Sequence, residues 1–271
     1  MPKQTDPEFL SKEEYGDATD LTTRIRIQAR YRKNPKNWFA WLFERFRLPK
    51  NSRILELGCG PGHLWGENLF HMPPTWQVHL SDLSTGMLQD ARDRLPPGSD
   101  RFTFSVLDAQ AIPFPAEAFE AVIASGLLDH VPDRVRSLDE IQRVLKPGGF
   151  FFTTTGSQGH LREIETLVQP FIPEADYGGD PERFGLENGA KYLAPWFGEI
   201  QLERYPDELV FKQARPILAY VRSEAQVKEK LKGEKLAAFC QFVENELAAR
   251  GEIRVTSKKG LFTAMKAKPT P

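Results

Sequence analysis

The sequence predicts an α/β fold built on a doubly wound, mostly parallel sheet with helical additions. Three observations lead there. From residue 53 onward, short runs rich in β-branched and aromatic residues alternate with helical patterns. The links between them are short, which suits strand–helix–strand units and a parallel sheet. The chain is 271 residues long, more than a minimal domain and less than two comfortable ones, so one large domain with additions fits best.

Taken in order, residues 1–20 are polar and acidic and read as a loosely ordered tail. Residues 21–47 read as cap helices. The first runs from Leu21 to Tyr31; a second is restarted by Asn34 as N-cap and Pro35 as first helical residue. This second helix carries Trp38, Phe39, Trp41, Leu42, Phe43 and Phe46 on more than one face, the pattern of a helix packed into the domain or laid over a pocket. The core is expected over 48–156, with strands at Arg53–Leu57, Gln77–Leu80, Phe102–Leu107, Ala121–Ala124 and Phe150–Thr154 and helices that include Ser84–Leu95 and Arg134–Leu145. Lys146-Pro147-Gly148-Gly149 ends the second of these helices. Residues 157–271 are assigned to the rest of the sheet with helical lid insertions at 206–250. Here Leu161–Val168 reads as a helix ended by Pro170, Pro173–Gly185 as loop, Glu199–Tyr205 as a strand, Glu224–Arg250 as one long helix, and Gly260–Ala267 as a final strand.

Composition narrows the function. The net charge of −1 lacks the basic surplus usual in proteins that bind phosphate backbones, so no nucleic-acid partner is expected. No apolar run approaches the roughly 18 residues of a membrane span, and the first twenty residues have no apolar signal region. Cys59 and Cys240 form no disulfide or metal pattern, and the five histidines are scattered, so no metal site is expected and a cytoplasmic location fits.

The sharpest motif is Leu55-Glu56-Leu57-Gly58-Cys59-Gly60-Pro61-Gly62, directly after a strand. The glycines permit a tight turn and the close approach of a ligand. The spacing is not the dinucleotide G-x-G-x-x-G, because His63 stands where the third glycine would be, and a phosphate loop would need a glycine and a lysine where the chain has His63 and Leu64. Neighbouring strands end in Ser81-Asp82, Asp108-Ala109-Gln110 and Ser125-Gly126. Ligands of open parallel sheets bind beyond the C-terminal strand ends. Asp82 can cap the following helix or accept both hydroxyls of a ribose, and Asp108 can accept from an exocyclic amine. Neither binds phosphate, so the implied ligand is a nucleoside without a phosphate tail.

Together, Glu56–Gly62, Ser81-Asp82-Leu83-Ser84 with Gly86-Met87-Leu88, Asp108-Ala109-Gln110 with Ile112-Pro113-Phe114, and Arg143–Gly149 resemble the successive motifs of class I S-adenosylmethionine-dependent methyltransferases, in the small-molecule branch that contains ubiquinone/menaquinone-biosynthesis enzymes. The resemblance covers roughly residues 50–155. Arg24–Trp41, Trp65 with Asn68, and Phe184–Gly189 extend it more weakly. It implies a seven-stranded, Rossmann-like sheet and S-adenosylmethionine as cofactor, leaving as S-adenosylhomocysteine. By the same resemblance, Gly58, Cys59, Gly60 and Gly62 lie against the methionine part and Glu56 anchors its ammonium. Asp82 holds the ribose, Leu83 packs on the adenine, and Asp108 with the Ala109 backbone N–H receives the adenine edge. Ser125 faces the methionine group. His63 departs from the small residue or arginine expected there and becomes a further cofactor contact.

The implied reaction is an in-line displacement at the sulfonium methyl, with a small molecule as acceptor and positioning as the main source of acceleration. A general base is needed only for a hydroxyl or carbon acid, and Asp129-His130, after the fourth strand, could supply it; His130 could equally brace its loop. Tyr31, His160, Tyr177 and Phe184 are weaker candidates for the acceptor pocket. The segments Leu21–Phe46, Gly156–Trp196 and Pro206–Arg250 are expected to form a largely helical lid over the reacting methyl. The alternatives are methylation of RNA or another macromolecule, against which Ser125-Gly126-Leu127-Leu128 lacks the Asn/Asp-Pro-Pro-aromatic motif, and a non-catalytic nucleoside-binding protein of the same fold.

Overall fold

A computed structural model describes residues 5–175 and 183–268. Seven strands form one sheet: β1 (Arg53–Leu57), β2 (Gln77–Asp82), β3 (Phe102–Val106), β4 (Phe119–Ser125), β5 (Leu145–Gly156), β6 (Gly198–Phe211) and β7 (Ile253–Met265), in the order β3-β2-β1-β4-β5-β7-β6. The first five are mutually parallel, and β7 runs antiparallel to both β5 and β6. The expected mostly parallel, doubly wound sheet is therefore present, and the order reverses between β1 and β4.

Alternation explains the two layers. Ile54, Ala121 and Ile123 enter one core with Trp65, Val78 and Leu80, while Leu55, Leu57, Val122 and Ala124 enter the other with Ile141, Phe151 and Phe262. Helix α5 (Thr85–Arg94) is capped by Ser84, whose hydroxyl accepts the Met87 N–H at 3.1 Å. Helix α6 (Arg134–Val144) is capped by Asp133 and buries Leu138, Ile141 and Val144 along one stripe.

Three expectations change here. The Pro-Gly-Gly stop ends α6, but the backbone then extends at once into β5, pairing from Leu145 rather than Phe150, with the Gly148 N–H donating to Lys266 O at 2.9 Å. Strands β6 and β7 outrun their expected limits and pair from Gly198 and Met265 out to Phe211 and Ile253. Their outer halves carry Leu209, Phe211, Ile253 and Val255 into a third core with α7 (Arg162–Val168), α9 (Ala214–Val221) and the C-terminal helices. The single helix expected over Glu224–Arg250 is two, α10 (Ala225–Lys230) and α11 (Gly233–Arg250), because Gly233 takes φ +55 and breaks the helical path beside fully buried Leu231.

The N-terminal segment is not a loose tail. A turn α1 (Pro7–Phe9), capped by the Asp6 carboxylate, leads into a π-helical turn over Leu10–Glu14. The segment then docks on the start of α5. A Cβ at Gly86 would sit 2.1 Å from Gly16 O, so only glycine allows this approach, and the Ala18 N–H donates to Asp90 Oδ2 at 3.0 Å. Helix α2 (Thr19–Tyr31) follows, and α3 (Trp38–Phe43), capped by Asn37 rather than Asn34, packs its aromatic residues onto the sheet face against Trp65, Trp76 and Tyr205. Among the described residues no helix is long and apolar enough to cross a membrane.

Candidate functional site

Two adjoining cavities lie at the C-terminal ends of the parallel strands. The first, about 340 Å³, opens where β1 and β4 diverge and is walled by Gly58, Gly60, Asp82, Leu83, Asp108, Ala109, Ser125 and Gly126, with Pro7, Leu10, Ser11 and Tyr15 closing it from the N-terminal segment. The second, about 250 Å³, is walled by Glu14, Arg24, His160, Arg183, Tyr220 and Glu224 and by apolar side chains such as Phe9, Leu161 and Val227. Leu10, Tyr15, Leu21 and His130 belong to both walls.

Gly58 and Gly60 turn the chain with φ +64 and +51, and a Cβ at Gly58 would press to 3.0 Å on Leu127. Bare backbone therefore forms this part of the wall. Asp82 ends β2, and the helix cap expected of it falls instead to Ser84. The Asp82 Oδ2 accepts the Gly60 N–H at 2.9 Å and its Oδ1 accepts the Ser84 N–H at 2.9 Å, so it fastens the glycine turn to the start of α5 while lining the cavity. Burial raises its pKa, against the lowering effect of these N–H groups. Asp108 is braced by Gln110, whose side-chain amide lies 3.1 and 3.0 Å from its two oxygens. The Ser125 hydroxyl pairs with Thr154 at 2.9 Å.

Four expected contacts lie outside the first cavity wall. Glu56 is buried beneath the turn; its Oε2 accepts the Trp65 indole N–H at 2.6 Å, and burial pushes its pKa up to about 8. The Cys59 thiol is turned into the core, 3.3 Å from Gly60 O, and burial raises its pKa well above the ordinary thiol value. Gly62 serves packing: a Cβ there would meet Ala91 at 3.2 Å. His63 stacks on Phe39 with ring centres 5.6 Å apart and leaves the site altogether, because α3 covers that flank. Trp65 and Asn68 act as braces. The Asn68 amide donates to Phe39 O and Leu64 O at 3.1 and 2.7 Å, tying α3 to α4 (His63–Gly66).

Of the residues expected in an acceptor pocket, His130 and His160 line the second cavity. Tyr31 packs on Phe211 and Phe184 on Phe262, both in core positions, and Tyr177 falls outside the described residues. The three expected lid segments supply most of the second cavity wall but only Leu21 to the first, which is closed instead by residues 7–15. Tyr15 was missed in the supposed tail. Its hydroxyl lies 3.4 Å from His130 Nε2, the rings meet edge to face at 5.6 Å, and burial raises its phenol pKa. The signal that could have found it is Gly16, next to it, where a Cβ would sit 2.5 Å from Lys12 O and forbid the turn.

A strand-end cavity with bare backbone on one side and a buried carboxylate at the next strand fits a nucleoside carrying a cationic tail. Residues 54–149 match the family described as "Methyltransferase domain". The match places a methyltransferase domain at residues 54–149, and the sheet order accords with it. The chain is 29% identical over 140 residues to the ubiquinone/menaquinone biosynthesis C-methyltransferase UbiE of Bordetella avium, covering 52% of each chain. It is 31% identical over 148 residues to the demethylmenaquinone methyltransferase of Symbiobacterium thermophilum, covering 52% of this chain and 59% of that one. The matches thus span about half the length of these curated relatives. Among solved structures, Haemonchus contortus phosphoethanolamine N-methyltransferase 2 in complex with S-adenosyl-L-methionine superposes with a TM-score of 0.59 at 21% identity, over 97% of this chain and 60% of that one.

Proposed function

We propose that the chain transfers a methyl group from S-adenosylmethionine to a small-molecule acceptor held in the second cavity. The observation that carries this reading is the wall shared by the two cavities: one set of side chains, Leu10, Tyr15, Leu21 and His130, lies between the cofactor space and a second space of about 250 Å³. A cavity of that size suits a small acceptor, in line with the net charge of −1. The two free thiols, Cys59 and Cys240, accord with a cytoplasmic setting.

The cofactor supplies an electrophilic methyl on a sulfonium with a neutral thioether as leaving group. The chain's own residues bind and orient. In this reading the Gly58–Gly60 backbone and the Ser125 region border the methionine part, with buried Glu56 below as counter-charge to its ammonium. Asp82 takes the ribose hydroxyls through lone pairs its backbone partners leave over. Leu83 packs on the adenine, and Asp108 and the Ala109 N–H take its edge. His130 is placed at the junction to remove a proton from the acceptor at Nε2. Tyr15, kept protonated by burial, holds Nε2 in the accepting form through a bond of 3.4 Å, long enough to yield to an acceptor hydroxyl.

The test offers methyl-labelled S-adenosylmethionine to the full chain with a small-metabolite extract, RNA and protein in parallel. Label in the metabolite fraction is expected. Label confined to RNA or protein would refute the small-molecule reading, and tight S-adenosylhomocysteine binding with no label anywhere would leave a nucleoside-binding protein.

A further inference from the structure

The second cavity contains two carboxylates, and both face Arg24. Glu14 Oε1 faces Arg24 Nη1 at 3.0 Å while its Oε2 accepts the Ala225 N–H at 3.1 Å; Glu224 Oε1 faces the same Arg24 nitrogen at 3.3 Å. Arg24, which also donates to Ser223 O at 2.6 Å, is shared by this pair. Three further groups on the wall can donate. Arg183 meets Asp129 Oδ2 through Nε at 3.5 Å, and its Nη1 and Nη2 make no hydrogen bond to a described residue. The His160 Nδ1 accepts the Lys258 N–H at 3.0 Å, and burial with nearby Lys259 pushes the imidazole pKa down to about 3, so the neutral ring carries its proton on Nε2. The Tyr220 oxygen accepts the Gln28 amide at 3.2 Å, which leaves its own proton to donate.

Arg183 is also held in place. Its carbonyl accepts the Asn188 amide at 2.8 Å, and the Asn188 Oδ1 takes the Gly185 N–H at 2.8 Å. The Thr155 hydroxyl, at the end of β5, donates to Phe184 O at 2.9 Å. A guanidinium fork fixed at its root, with two open nitrogens and two neutral donors on the same wall, is complementary to an oxyanion.

We propose that the second cavity takes an acceptor bearing an anionic group, a carboxylate or a phosphate, bound by Arg183 with His160 and Tyr220. This rests on the reading of that cavity as the acceptor site. The acceptor is then bifunctional, with its anionic group on Arg183, His160 and Tyr220 and its methylated atom toward the wall shared with the first cavity.

Isothermal titration of the full chain saturated with S-adenosylhomocysteine tests it, with inorganic phosphate, malonate and glycerol as titrants. One of the two anions should bind at a single site and glycerol should not; whichever anion binds more tightly identifies the group. Arg183→Gln should weaken that binding by about tenfold or more and Tyr220→Phe by about threefold, with S-adenosylhomocysteine affinity within about twofold of wild type. Failure of both anions to bind, or wild-type anion affinity in both variants, overturns the proposal while intact S-adenosylhomocysteine binding leaves the cofactor reading standing. A wild-type chain that does not take S-adenosylhomocysteine overturns both.

Discussion

The indole N–H of Trp65 donates to Glu56 Oε2 at 2.6 Å, with both side chains out of water beneath the glycine turn. Burial outweighs this bond and raises the Glu56 pKa from 4.5 to about 8, so the folded protein holds a proton at neutral pH that the unfolded chain has released. The associated stability is full below about 4.5, declines as pH rises, and is gone above about 8. Glu56→Gln should remove that slope from the denaturation midpoint. An incoming ammonium favours the carboxylate, so S-adenosylhomocysteine binding at pH near 7 should release a proton from wild type and not from the variant. Calorimetry in two buffers of different ionisation enthalpy reads this directly, and equal release in both proteins would remove Glu56 from the cofactor's surroundings.

Asp82→Ala should weaken S-adenosylmethionine binding by about 1.5–3 kcal/mol, the scale of a lost charge-assisted hydrogen bond. The substitution also frees the Gly60 and Ser84 N–H groups, so Asp82→Asn, which keeps an acceptor, should lie between it and wild type. Titration of the folded variants checks the order. Unchanged affinity in Asp82→Ala would exclude the residue from the site.

His130→Ala should lower kcat by about 10²–10⁴ if the acceptor must lose a proton, with little change in cofactor KM. Tyr15→Phe keeps the edge-to-face contact and removes only the hydroxyl 3.4 Å from Nε2, so its smaller loss should fall on kcat as well. Steady-state kinetics that place both losses in cofactor KM would make the pair a binding element.

Hydrogen exchange with S-adenosylhomocysteine should protect residues 7–16 together with the Gly58–Gly60 turn, because both form the first cavity's wall. Protection of the glycine turn alone would mean that the N-terminal segment does not close on the ligand.

Native alkylation should modify Cys240 and spare Cys59. Both are free thiols, but Cys59 is buried while Cys240 is partly exposed on α11. Equal labelling at short times would place Cys59 nearer the surface than its packing against the core allows.

The parallel half of the sheet and most of the first cavity's wall were legible because each depends on local pattern: hydrophobic runs of strand length, glycines at a turn, acids at strand ends. Gly58, Gly60, Asp82, Leu83, Asp108, Ala109 and Ser125 come together as their positions implied. His63 was misplaced because its direction is set by the distant Phe39. Tyr15 was hidden because a short polar stretch gains its structure only by docking on Gly86 and Asp90. The outer halves of β6 and β7 were hidden because Arg254, Lys258 and Lys259 interrupt the apolar pattern, although Val255 and Ser257 are buried between them. Local propensity could not report any of these long-range contacts.

The Arg24 node joins Glu14 to Ser223 and Glu224, partners separated by about two hundred residues of chain. During synthesis the first residues of the site leave the ribosome long before their counterparts exist. The docking of the N-terminal segment on Gly86 and Asp90 can form with β1 to β5, while Glu14 and Arg24 still lack their C-terminal partners. Enclosure of the second cavity is therefore a late event, completed only once translation has passed Glu224. Nascent chains halted before that point should lack the second cavity, which comes into being only with the helices that follow β6.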